Sequence, residues 1–294
     1  MPATFDDRDG FIWFDGKLVP WREANVHVLT HGLHYAGAVF EGQRAYGGTI
    51  FRLRDHSERL KRSAELLGYQ IPWSVEEIDA ACNEVVSANG LTDAYVRPIA
   101  WRGSEQMGVT AGNFPPHLAI AAWNWGKYFD EDKAAKGLRL DIAPYRRPAP
   151  YTAPVHSKAS GLYMICTYSR QIAEQRGYDD ALMFDWRGQV AESTGANVFF
   201  VKDGALHTPT PDCFLDGITR RTVIDLAQRR GLAVNERAIW PEEMESFEQC
   251  FLTGSAAEVT FVQSVGPYSF EIGDLSRQLA RDYDDLVNGR LPNA

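Results

Sequence analysis

Short apolar segments of the kind that form strands recur in both halves of this 294-residue chain, mixed irregularly with a smaller number of helical segments. The clearest strand segments are residues 11–14, 94–99, 117–123, 181–184, 197–201 and 249–252. This irregular order predicts a mixed α+β architecture. The length fits two domains.

Three local signals predict turns and helices in the first half. Asp15-Gly16 separates two apolar segments and predicts a two-residue hairpin. Asp55–Glu58 and Ser74–Glu77 have the spacing of a capping box, so each predicts a helix start. We expect these helices to end near Gly68 and Gly90.

In the second half, helical spacing predicts helices over residues 160–177, 219–230 and 275–287. The polar stretch before residue 137 is the best linker candidate. The expected organisation is a small α+β domain over residues 1–126, a linker over 127–136 and a larger cofactor-binding domain over 137–294.

Composition and charge exclude several classes of protein. Thirty Lys+Arg against 39 Asp+Glu give a net charge of −9, so we expect no nucleic-acid partner. No apolar run is long enough to span a membrane, and the acidic N-terminus is unlike a secretory signal, so a cytoplasmic location is expected. Four scattered cysteines without a C-x-x-C pair predict neither disulfides nor a metal site.

Lys158 is the first candidate for chemistry. It lies in the stretch 154–161, which is rich in small residues, whereas the other lysines have charged or turn-like surroundings. A partly desolvated lysine has a lowered pKa and forms a Schiff base with an aldehyde or ketone. The alternative is an ordinary loop lysine, and this segment alone does not decide between them.

Glu192 is the second candidate, an isolated carboxylate just before an apolar strand. Burying a carboxylate is costly unless a cation or donor meets it. A protonated pyridine nitrogen would be such a partner. A solvent-facing glutamate is an equally good interpretation of this segment alone.

Two further segments are typical of anion sites. Gly217 lies at a turn before a helix that begins near Thr219, where backbone N–H groups and the helix dipole favour an anion. Residues 253–257 form a small-residue turn with more amides and hydroxyls. Alone, each is a plain helix start or loop. Together with Lys158 and Glu192 they match the aldehyde, pyridinium and phosphate of pyridoxal 5'-phosphate.

The sequence also resembles the branched-chain amino acid aminotransferases, which are class IV, fold type IV pyridoxal-phosphate enzymes. The resemblance covers residues 12–259. It rests on the segments 31–35, 39–46, 94–98, 107–109, 158–163, 192–197, 217–220 and 253–258. It implies a two-domain α+β fold with a small α+β domain, a larger β-barrel-like α+β domain and the cofactor in the cleft between them.

The resemblance implies a set of cofactor-binding residues. Lys158 is similar to the family's Schiff-base lysine, which also moves the substrate Cα proton, and Glu192 to the partner of the pyridine nitrogen. Tyr163 matches the residue that bonds the phenolic oxygen. The positions that match the phosphate cradle are Arg59, Gly217, Ile218, Thr219 and Ser255, the last standing where threonine is more usual.

The resemblance also implies a substrate pocket. The matching positions are Tyr35, Phe40, Tyr95, Arg97, Met107, Gly108, Val109, Tyr128, Ser255 and Ala256. In the family Tyr95 and the turn at Ser255-Ala256 hold the α-carboxylate, while Arg97 receives the distal carboxylate of glutamate. Without the resemblance, Tyr95 and Phe40 would be interpreted as core residues and Arg97 as half of a structural ion pair. No family role is implied for Trp101, Arg102, Arg146, Arg147 or His156.

The expected activity is transfer of an amino group from leucine, isoleucine or valine to 2-oxoglutarate by a ping-pong mechanism. The alternatives are a D-amino acid transaminase, an (R)-selective amine transaminase, an aminodeoxychorismate lyase or a non-catalytic cofactor-binding protein. The expected partners are amino acids and 2-oxo acids. The resemblance further implies a homodimer, in which Tyr35 and Met107–Val109 act across the interface, and allows a higher assembly.

Overall fold

Two units make up the chain. The first contains Met1–Gly126 and Ser157–Leu162, and the second contains Lys127–His156 and Tyr163–Ala294. The structure, a computed structural model, describes residues 4–110, 112–126 and 131–291, apart from the side chains of residues 131, 132 and 134. Of the predicted linker, residues 131–136 form a helix and 127–130 lie outside the described residues.

The first unit is built on a seven-stranded antiparallel sheet. The strands are β1 (Phe11–Phe14), β2 (Lys17–Pro20), β3 (Ala38–Phe40), β4 (Gln43–Tyr46), β5 (Thr49–Ile50), β6 (Ala94–Trp101) and β7 (His117–Asn124). Their order in the sheet is β2-β1-β7-β6-β4-β5, and β3 also pairs with β6. Asp15 and Gly16 both have positive φ in the turn between β1 and β2, so the predicted hairpin is confirmed.

Helices α2 and α3 pack on one face of this sheet. The helices of the first unit are α1 (His31–Tyr35), α2 (Leu53–Leu66) and α3 (Val75–Ala88), with 3-10 turns at Trp21–Glu23 and Ser160–Leu162. The capping box predicted at Ser74–Glu77 is confirmed. The one predicted at Asp55 is wrong, because α2 already begins at Leu53. Its N-cap residue is Arg52, which has a φ of 52° and makes no side-chain cap hydrogen bond.

Alternation along β6 separates the core from the face that carries the candidate site. Ala94, Val96 and Ala100 are fully buried in the cluster that packs against α2 and α3. Because successive side chains of a strand point to opposite faces, Tyr95 and Arg97 lie on the other face. The sheet therefore buries one face under helices and presents polar groups on the other.

An interruption in the sheet places Glu41. β3 and β4 pair with β6 one after the other, with Phe40 opposite Ile99 and Gln43 opposite Val96. Between them the Glu41 N–H donates to the Pro98 carbonyl at 2.8 Å. The break lets the Glu41 side chain leave the regular strand alternation.

The second unit contains a closed barrel of six strands. The strands of this unit are β8 (Leu138–Ile142), β9 (Asp180–Phe184), β10 (Val190–Ser193), β11 (Asn197–Lys202), β12 (Ala205–Pro209), β13 (Val234–Arg237), β14 (Gln249–Gly254), β15 (Glu258–Val265) and β16 (Tyr268–Ser269). In the barrel the neighbours follow the order β10, β9, β8, β15, β14 and β11, and β10 also pairs with β11 to close the ring. β12, β13 and β16 lie outside the ring and extend the sheet.

Helices surround this sheet. They are α4 (Glu131–Lys136), α5 (Tyr163–Gln175), α6 (Ile218–Arg229) and α7 (Asp274–Val287), with a 3-10 turn at Pro241–Ser246. α5 packs against β9, α6 against β14, and α7 against β15 and α6. Each strand of the ring contributes a buried apolar side chain to one core cluster, namely Leu138, Leu182, Val190, Val198, Leu252 and Val262. The predicted α+β class is confirmed in both units.

Candidate active site

The backbone at Lys158 is held on two sides within the first unit. Its carbonyl accepts a hydrogen bond from the Phe40 N–H at 3.1 Å, and Ala159 forms an antiparallel bridge to β3. Its N–H donates to Ser63 Oγ of α2 at 3.0 Å, while Ser157 Oγ donates to the Ser63 carbonyl at 2.8 Å. A strand and a helix therefore fix the position of Lys158.

The amine of Lys158 is partly buried beside an aromatic ring. Nζ lies 5.1 Å from the centroid of the Phe40 ring. Burial lowers the pKa of Lys158, and the positive charge of Arg59 lowers it further, against the opposing effect of Glu41. A lysine with a lowered pKa has more of the neutral, nucleophilic amine near neutral pH.

Glu41 joins Arg59 to His56 in the interior of the first unit. Its side chain is 0% exposed and accepts hydrogen bonds from Arg59 Nε at 2.6 Å and Nη2 at 2.8 Å. His56 Nδ1 lies 2.7 Å from Glu41 Oε2, the oxygen that also accepts from Arg59 Nη2. Burial alone would raise the pKa of Glu41, but Arg59 and His56 hold it well below its usual range. The ionised Glu41 thus orients the guanidinium of Arg59.

Arg97 lies beside the same phenyl ring as Lys158, and Tyr95 is hydrogen-bonded to Arg97. Arg97 Nη2 donates to Tyr95 Oη at 2.8 Å, and the guanidinium lies 4.7 Å from the Phe40 ring centroid. A Cβ on Gly42 would lie 2.0 Å from Tyr95 Oη, so the phenol requires glycine there. The structure therefore brings together five predicted residues of the first unit, namely Arg59, Lys158, Phe40, Tyr95 and Arg97.

A mainly apolar cavity of about 370 Å³ adjoins this group in the first unit. Its polar lining includes Arg97 and Ser160, and its apolar lining includes Phe14, Leu33, Ile99 and Trp101. An apolar cavity edged by one guanidinium suits a ligand with an aliphatic part and an anionic part.

Tyr35, Met107 and Val109 are exposed in this chain. The Tyr35 ring packs on His31 at 4.9 Å, and His31 Nε2 lies 3.3 Å from the Val109 carbonyl. These contacts link Tyr35 to the segment that contains Gly108. They are separate from the ring and ion-pair contacts around Phe40. Predicted residue Tyr128 lies outside the described residues.

In the second unit, Glu192 lies on the strand pair that closes the barrel. It is opposite Asn197 in the register of β10 and β11, and its side chain is 12% exposed. Asn197 Nδ2 donates to Glu192 Oε2 at 3.3 Å. Arg147 Nε lies 3.4 Å from Glu192 Oε1. The solvent-facing alternative for Glu192 is therefore wrong, because the carboxylate is largely buried beside a cation.

Arg147 is a site residue that sequence analysis did not assign. It is 4% exposed, and its Nη1 lies 3.6 Å from Cys166 Sγ. Burial opposes its charge, but Glu192 and the weaker effects of Cys166, Tyr163 and Cys213 together outweigh burial and raise the pKa of Arg147. Its neighbour Arg146 is exposed, so two adjacent arginines differ in burial. Only the folded structure distinguishes them.

Asn197 also connects Glu192 to the predicted phosphate cradle. Its Nδ2 donates to the Leu215 carbonyl at 3.0 Å, and a Cβ on Gly217 would lie 2.2 Å from its Oδ1. Asn197 is paired with Thr253 on β14. The segments that carry Gly217 and Ser255 are therefore both anchored at Asn197.

The cradle residues lie at the start of α6 and the end of β14. Gly217 is the N-cap of α6 and makes no side-chain cap hydrogen bond. Ile218 and Thr219, the first two residues of α6, are each 3% exposed. The early N–H groups of a helix have no partner within the helix, so this uncapped start offers donors to an anion.

Arg220 supports the predicted phosphate cradle through three hydrogen bonds. It is 1% exposed and donates to Asp216 Oδ1 at 2.9 Å, to the Pro209 carbonyl at 3.1 Å and to Glu236 Oε2 at 2.7 Å. It therefore pins the turn before α6 to β12 and β13. Arg220 belongs to the predicted motif 217–220, but the sequence alone does not predict this supporting role.

The remaining predicted residues of the second unit lie at ends of elements. Tyr163 is the first residue of α5 and is partly buried. Ser255 and Ala256 follow β14 and are partly exposed. Just before them, the Oγ1 atom of Thr253 is buried without a hydrogen-bond partner.

One group of potential metal ligands occurs among the described residues, formed by Asp185, Asp212 and Cys213. Arg187 forms ion pairs with Asp185 at 2.6 Å and with Asp212 at 2.7 Å. One guanidinium already forms ion pairs with both carboxylates, so we assign no metal to this group. Within the described part of the chain, no helix has the length and apolar character needed to cross a membrane.

Sequence comparison gives one family match and closely similar relatives. Residues 38–265 match the family model for amino-transferase class IV. The chain is 41% identical to the probable branched-chain-amino-acid aminotransferase of Rickettsia felis, with 94% of this chain and 95% of the relative covered. It is also 41% identical to the branched-chain-amino-acid aminotransferase of Pseudomonas aeruginosa, with 97% and 95% covered.

Structure comparison agrees. The solved branched-chain amino acid aminotransferase of T.th., complexed with N-(5'-phosphopyridoxyl)-L-glutamate, is 36% identical to this chain and has a TM-score of 0.92. The match covers 97% of this chain and 96% of that chain. The fold predicted from the sequence is confirmed by this likeness.

Proposed function

The chain belongs to the class IV aminotransferases and, among them, to the branched-chain-amino-acid aminotransferases. On the basis of this family we propose its reaction and its cofactor. The proposed reaction transfers the amino group of leucine, isoleucine or valine to 2-oxoglutarate. The proposed cofactor is pyridoxal 5'-phosphate. The observation that carries the proposal is Lys158, a partly buried amine of lowered pKa fixed between β3 and α2.

The residues of each unit fit this cofactor. The first unit offers the Lys158 amine for an aldehyde and Arg59 for a phosphate. The second offers a largely buried carboxylate, Glu192, for a protonated ring nitrogen. The uncapped start of α6 and the orphaned Thr253 Oγ1 supply buried donors of the kind a phosphate accepts from. The solved relative that contains a phosphopyridoxyl group supports the same assignment.

When bound, pyridoxal 5'-phosphate supplies an aldehyde that bonds amines covalently and a protonated pyridine that withdraws electrons. We assign Lys158 to the aldehyde carbon, which it would bond in the resting enzyme, and to the proton at the substrate Cα, which it would move. Glu192 would hold the proton on the pyridine nitrogen, and Arg147 would keep this carboxylate ionised. Ile218, Thr219 and Ser255 would bind the phosphate together with Arg59. Tyr163 would bind the phenolic oxygen.

The surroundings of Phe40 support substrate roles for Tyr95 and Arg97. The phenol and guanidinium form one hydrogen-bonded pair, which offers donors to carboxylates. The adjoining cavity is mainly apolar and suits a branched aliphatic side chain. An aliphatic substrate and glutamate therefore find suitable groups in the same unit. Tyr35, Met107, Gly108, Val109, Tyr128 and Ala256 are assigned to the pocket from the family resemblance.

The first test is the visible absorbance spectrum of the purified protein. The expected result is a cofactor band that bleaches with L-leucine and with L-glutamate and returns with a 2-oxo acid. Lys158→Ala should keep the fold and lose turnover, whereas the exposed control Lys17→Ala should behave as wild type. Bleaching with D-alanine or a chiral amine alone would transfer the proposal to another fold type IV activity. Normal turnover of Lys158→Ala would contradict the role of this lysine.

We also propose that the active form is a homodimer. Leu33, Tyr35 and Val109 are large exposed apolar side chains of the first unit, as expected where a second chain binds. Light scattering should give twice the chain mass of 32.9 kDa. A fully active species of 32.9 kDa would contradict the dimer and leave the reaction unaffected.

A further inference from the structure

The segment between β6 and β7 carries Met107, Gly108 and Val109. Three side chains of the first unit hold it. His117 contacts Glu105, His31 contacts the Val109 carbonyl at 3.3 Å, and Arg102 donates to the Gly112 carbonyl at 3.2 Å. Of these three, only His117 makes its contact through an ionisable partner within the segment.

His117 lies between two carboxylates. Its Nδ1 is 2.5 Å from Asp15 Oδ2, and its Nε2 is 2.8 Å from Glu105 Oε1. Ionised carboxylates only accept hydrogen bonds, and a neutral imidazole carries a single N–H. Both contacts are therefore hydrogen bonds only when the ring carries two protons and a positive charge.

Neighbouring residues pack tightly around the His117 ring and its contact with Glu105. The His117 ring is stacked on Trp101, with centroids 5.3 Å apart and 23° between the planes. A Cβ on Gly103 would lie 2.4 Å from both Glu105 Oε2 and His117 Nε2. A glycine at 103 is thus required for the Glu105 contact.

The two carboxylates are unequal partners. Asp15 Oδ1 also accepts the Leu118 N–H at 2.8 Å, so Asp15 stays anchored without His117. Asp15 and Glu105 are the charged groups that contact the ring, and Trp101 and Phe14 pack against it as neutral aromatics. Burial opposes the charge, but the two carboxylates outweigh it and raise the pKa of His117. Because Asp15 stays in place beside Nδ1, we expect the neutral ring to keep its single N–H on Nδ1, so loss of the Nε2 proton releases Glu105.

We propose that His117 is a positioning residue whose imidazolium holds Glu105 and thereby fixes Met107–Val109 for recognition of the substrate side chain. This inference rests on the proposed function, which assigns those three residues to the substrate pocket. His117 acts through Glu105 and touches no reacting atom. When the ring loses its proton, selectivity for a large aliphatic side chain falls, while the chemistry at Lys158 is unaffected.

The test is the ratio of kcat/KM for L-leucine to kcat/KM for L-alanine. Because both substrates share the cofactor, Lys158 and the α-amino group, their common titrations cancel in this ratio. Loss of one charge-assisted hydrogen bond predicts a fall of about ten-fold between about pH 6 and about pH 9. Glu105→Gln should flatten the profile, since an amide does not require the imidazolium. The control Glu58→Gln, at an exposed pair with Arg54, should keep the wild-type profile.

A second variant and a second measurement separate the possible failures. Gly103→Ala places a Cβ between the partners and should give the low ratio at every pH. Hydrogen exchange of residues 104–110 in the holoenzyme, corrected for intrinsic rates, should rise with pH in wild type but not in Glu105→Gln. A flat wild-type ratio, or an unchanged pH profile in Glu105→Gln or Gly103→Ala, would overturn the proposal. If no amino acid bleaches the cofactor band, the proposed function fails, while hydrogen exchange still tests the His117 contact.

Discussion

Replacing Glu41 by glutamine removes one negative charge from the interior of the first unit and leaves the size of the side chain almost unchanged. The native carboxylate is 0% exposed and faces Arg59 at 2.6 Å and His56 at 2.7 Å. After the substitution the guanidinium keeps its charge but loses the carboxylate that faces it. We therefore expect Glu41→Gln to destabilise the protein.

The magnitude follows from burial. Removing one partner of a buried ion pair costs about 3–5 kcal/mol, because the other charge stays buried without its counterion. Arg59 retains 15% side-chain exposure, and the Gln oxygen still accepts a hydrogen bond, so we expect the lower end, about 3 kcal/mol. A protein of this size loses about 2–4 °C in Tm per kcal/mol, which gives a fall of about 6–12 °C.

Thermal and urea unfolding of the holoenzyme measure this loss. Glu58→Gln is the matched control, because Glu58 pairs with Arg54 on the same helix at 3.0 Å but both side chains are more than half exposed. Such helical surface pairs contribute about 0.3–0.5 kcal/mol. A Tm decrease in Glu41→Gln no larger than in Glu58→Gln would refute the reasoning.

The pH dependence provides a second check on Glu41. Arg59 and His56 outweigh burial and place its folded pKa below the ordinary value of 4.5. A lowered carboxyl pKa stabilises the folded state above the unfolded pKa, and this stabilisation disappears as the pH falls toward the folded pKa. The stability difference between wild type and Glu41→Gln should be constant from about pH 6 to about pH 8 and shrink in acid below about pH 4. A difference that grows in acid would contradict the sign.

Three further substitutions have definite expected outcomes. Arg97→Leu should raise KM for glutamate by about ten-fold or more and KM for leucine less, since a charge-assisted hydrogen bond contributes about 1.5–3 kcal/mol. Steady-state kinetics test this, and an equal rise in KM for both substrates would show that Arg97 is structural. Arg147→Met should lower the free energy of unfolding by about 3 kcal/mol, measured in urea, because the largely buried Glu192 would lose the cation beside it; an unchanged midpoint would contradict this. Gly42→Ala should lower kcat/KM by displacing the Tyr95 hydroxyl, which a Cβ would approach at 2.0 Å, and wild-type kinetics would show that the phenol adjusts.

Local sequence signals predicted an element correctly where the contacts that form it lie within the few residues that carry the signal. The Ser74–Glu77 capping box is confirmed because both of its hydrogen bonds lie within one helical turn. The same spacing at Asp55 was wrong because the chain enters α2 through Arg52 in the left-handed region, so that Asp55 already lies inside the helix. There Asp55 contacts Arg52 at 3.4 Å instead of capping the helix. β15 was not predicted, since polar residues at 260, 263 and 264 interrupt its apolar sequence, whereas β11 contains the continuous apolar run Val198–Val201.

The candidate site was predictable for residues that belong to motifs and not for the residues that support them. Lys158 and Glu192 stand out in their own segments. Their electrostatic partners do not, because Glu41 and Arg59 are 18 positions apart and Arg147 differs from Arg146 only in burial. His117 became a candidate only when the fold brought it to Asp15, 102 positions away. Long-range contacts of this kind depend on sheet register, which single-sequence patterns do not specify.

The path of the chain has a consequence for synthesis on the ribosome. The first unit consists of Met1–Gly126 and the later segment Ser157–Leu162. Until about thirty further residues have been translated, the β3 strand therefore lacks its bridge to Ala159. During the same interval Ser63 Oγ lacks the hydrogen bond that it accepts from the Lys158 N–H. The nascent first unit exposes a strand edge during that interval. Assembly of the lysine site is thus one of the last steps in completing this unit, and a fragment that ends at Gly126 lacks Lys158 altogether.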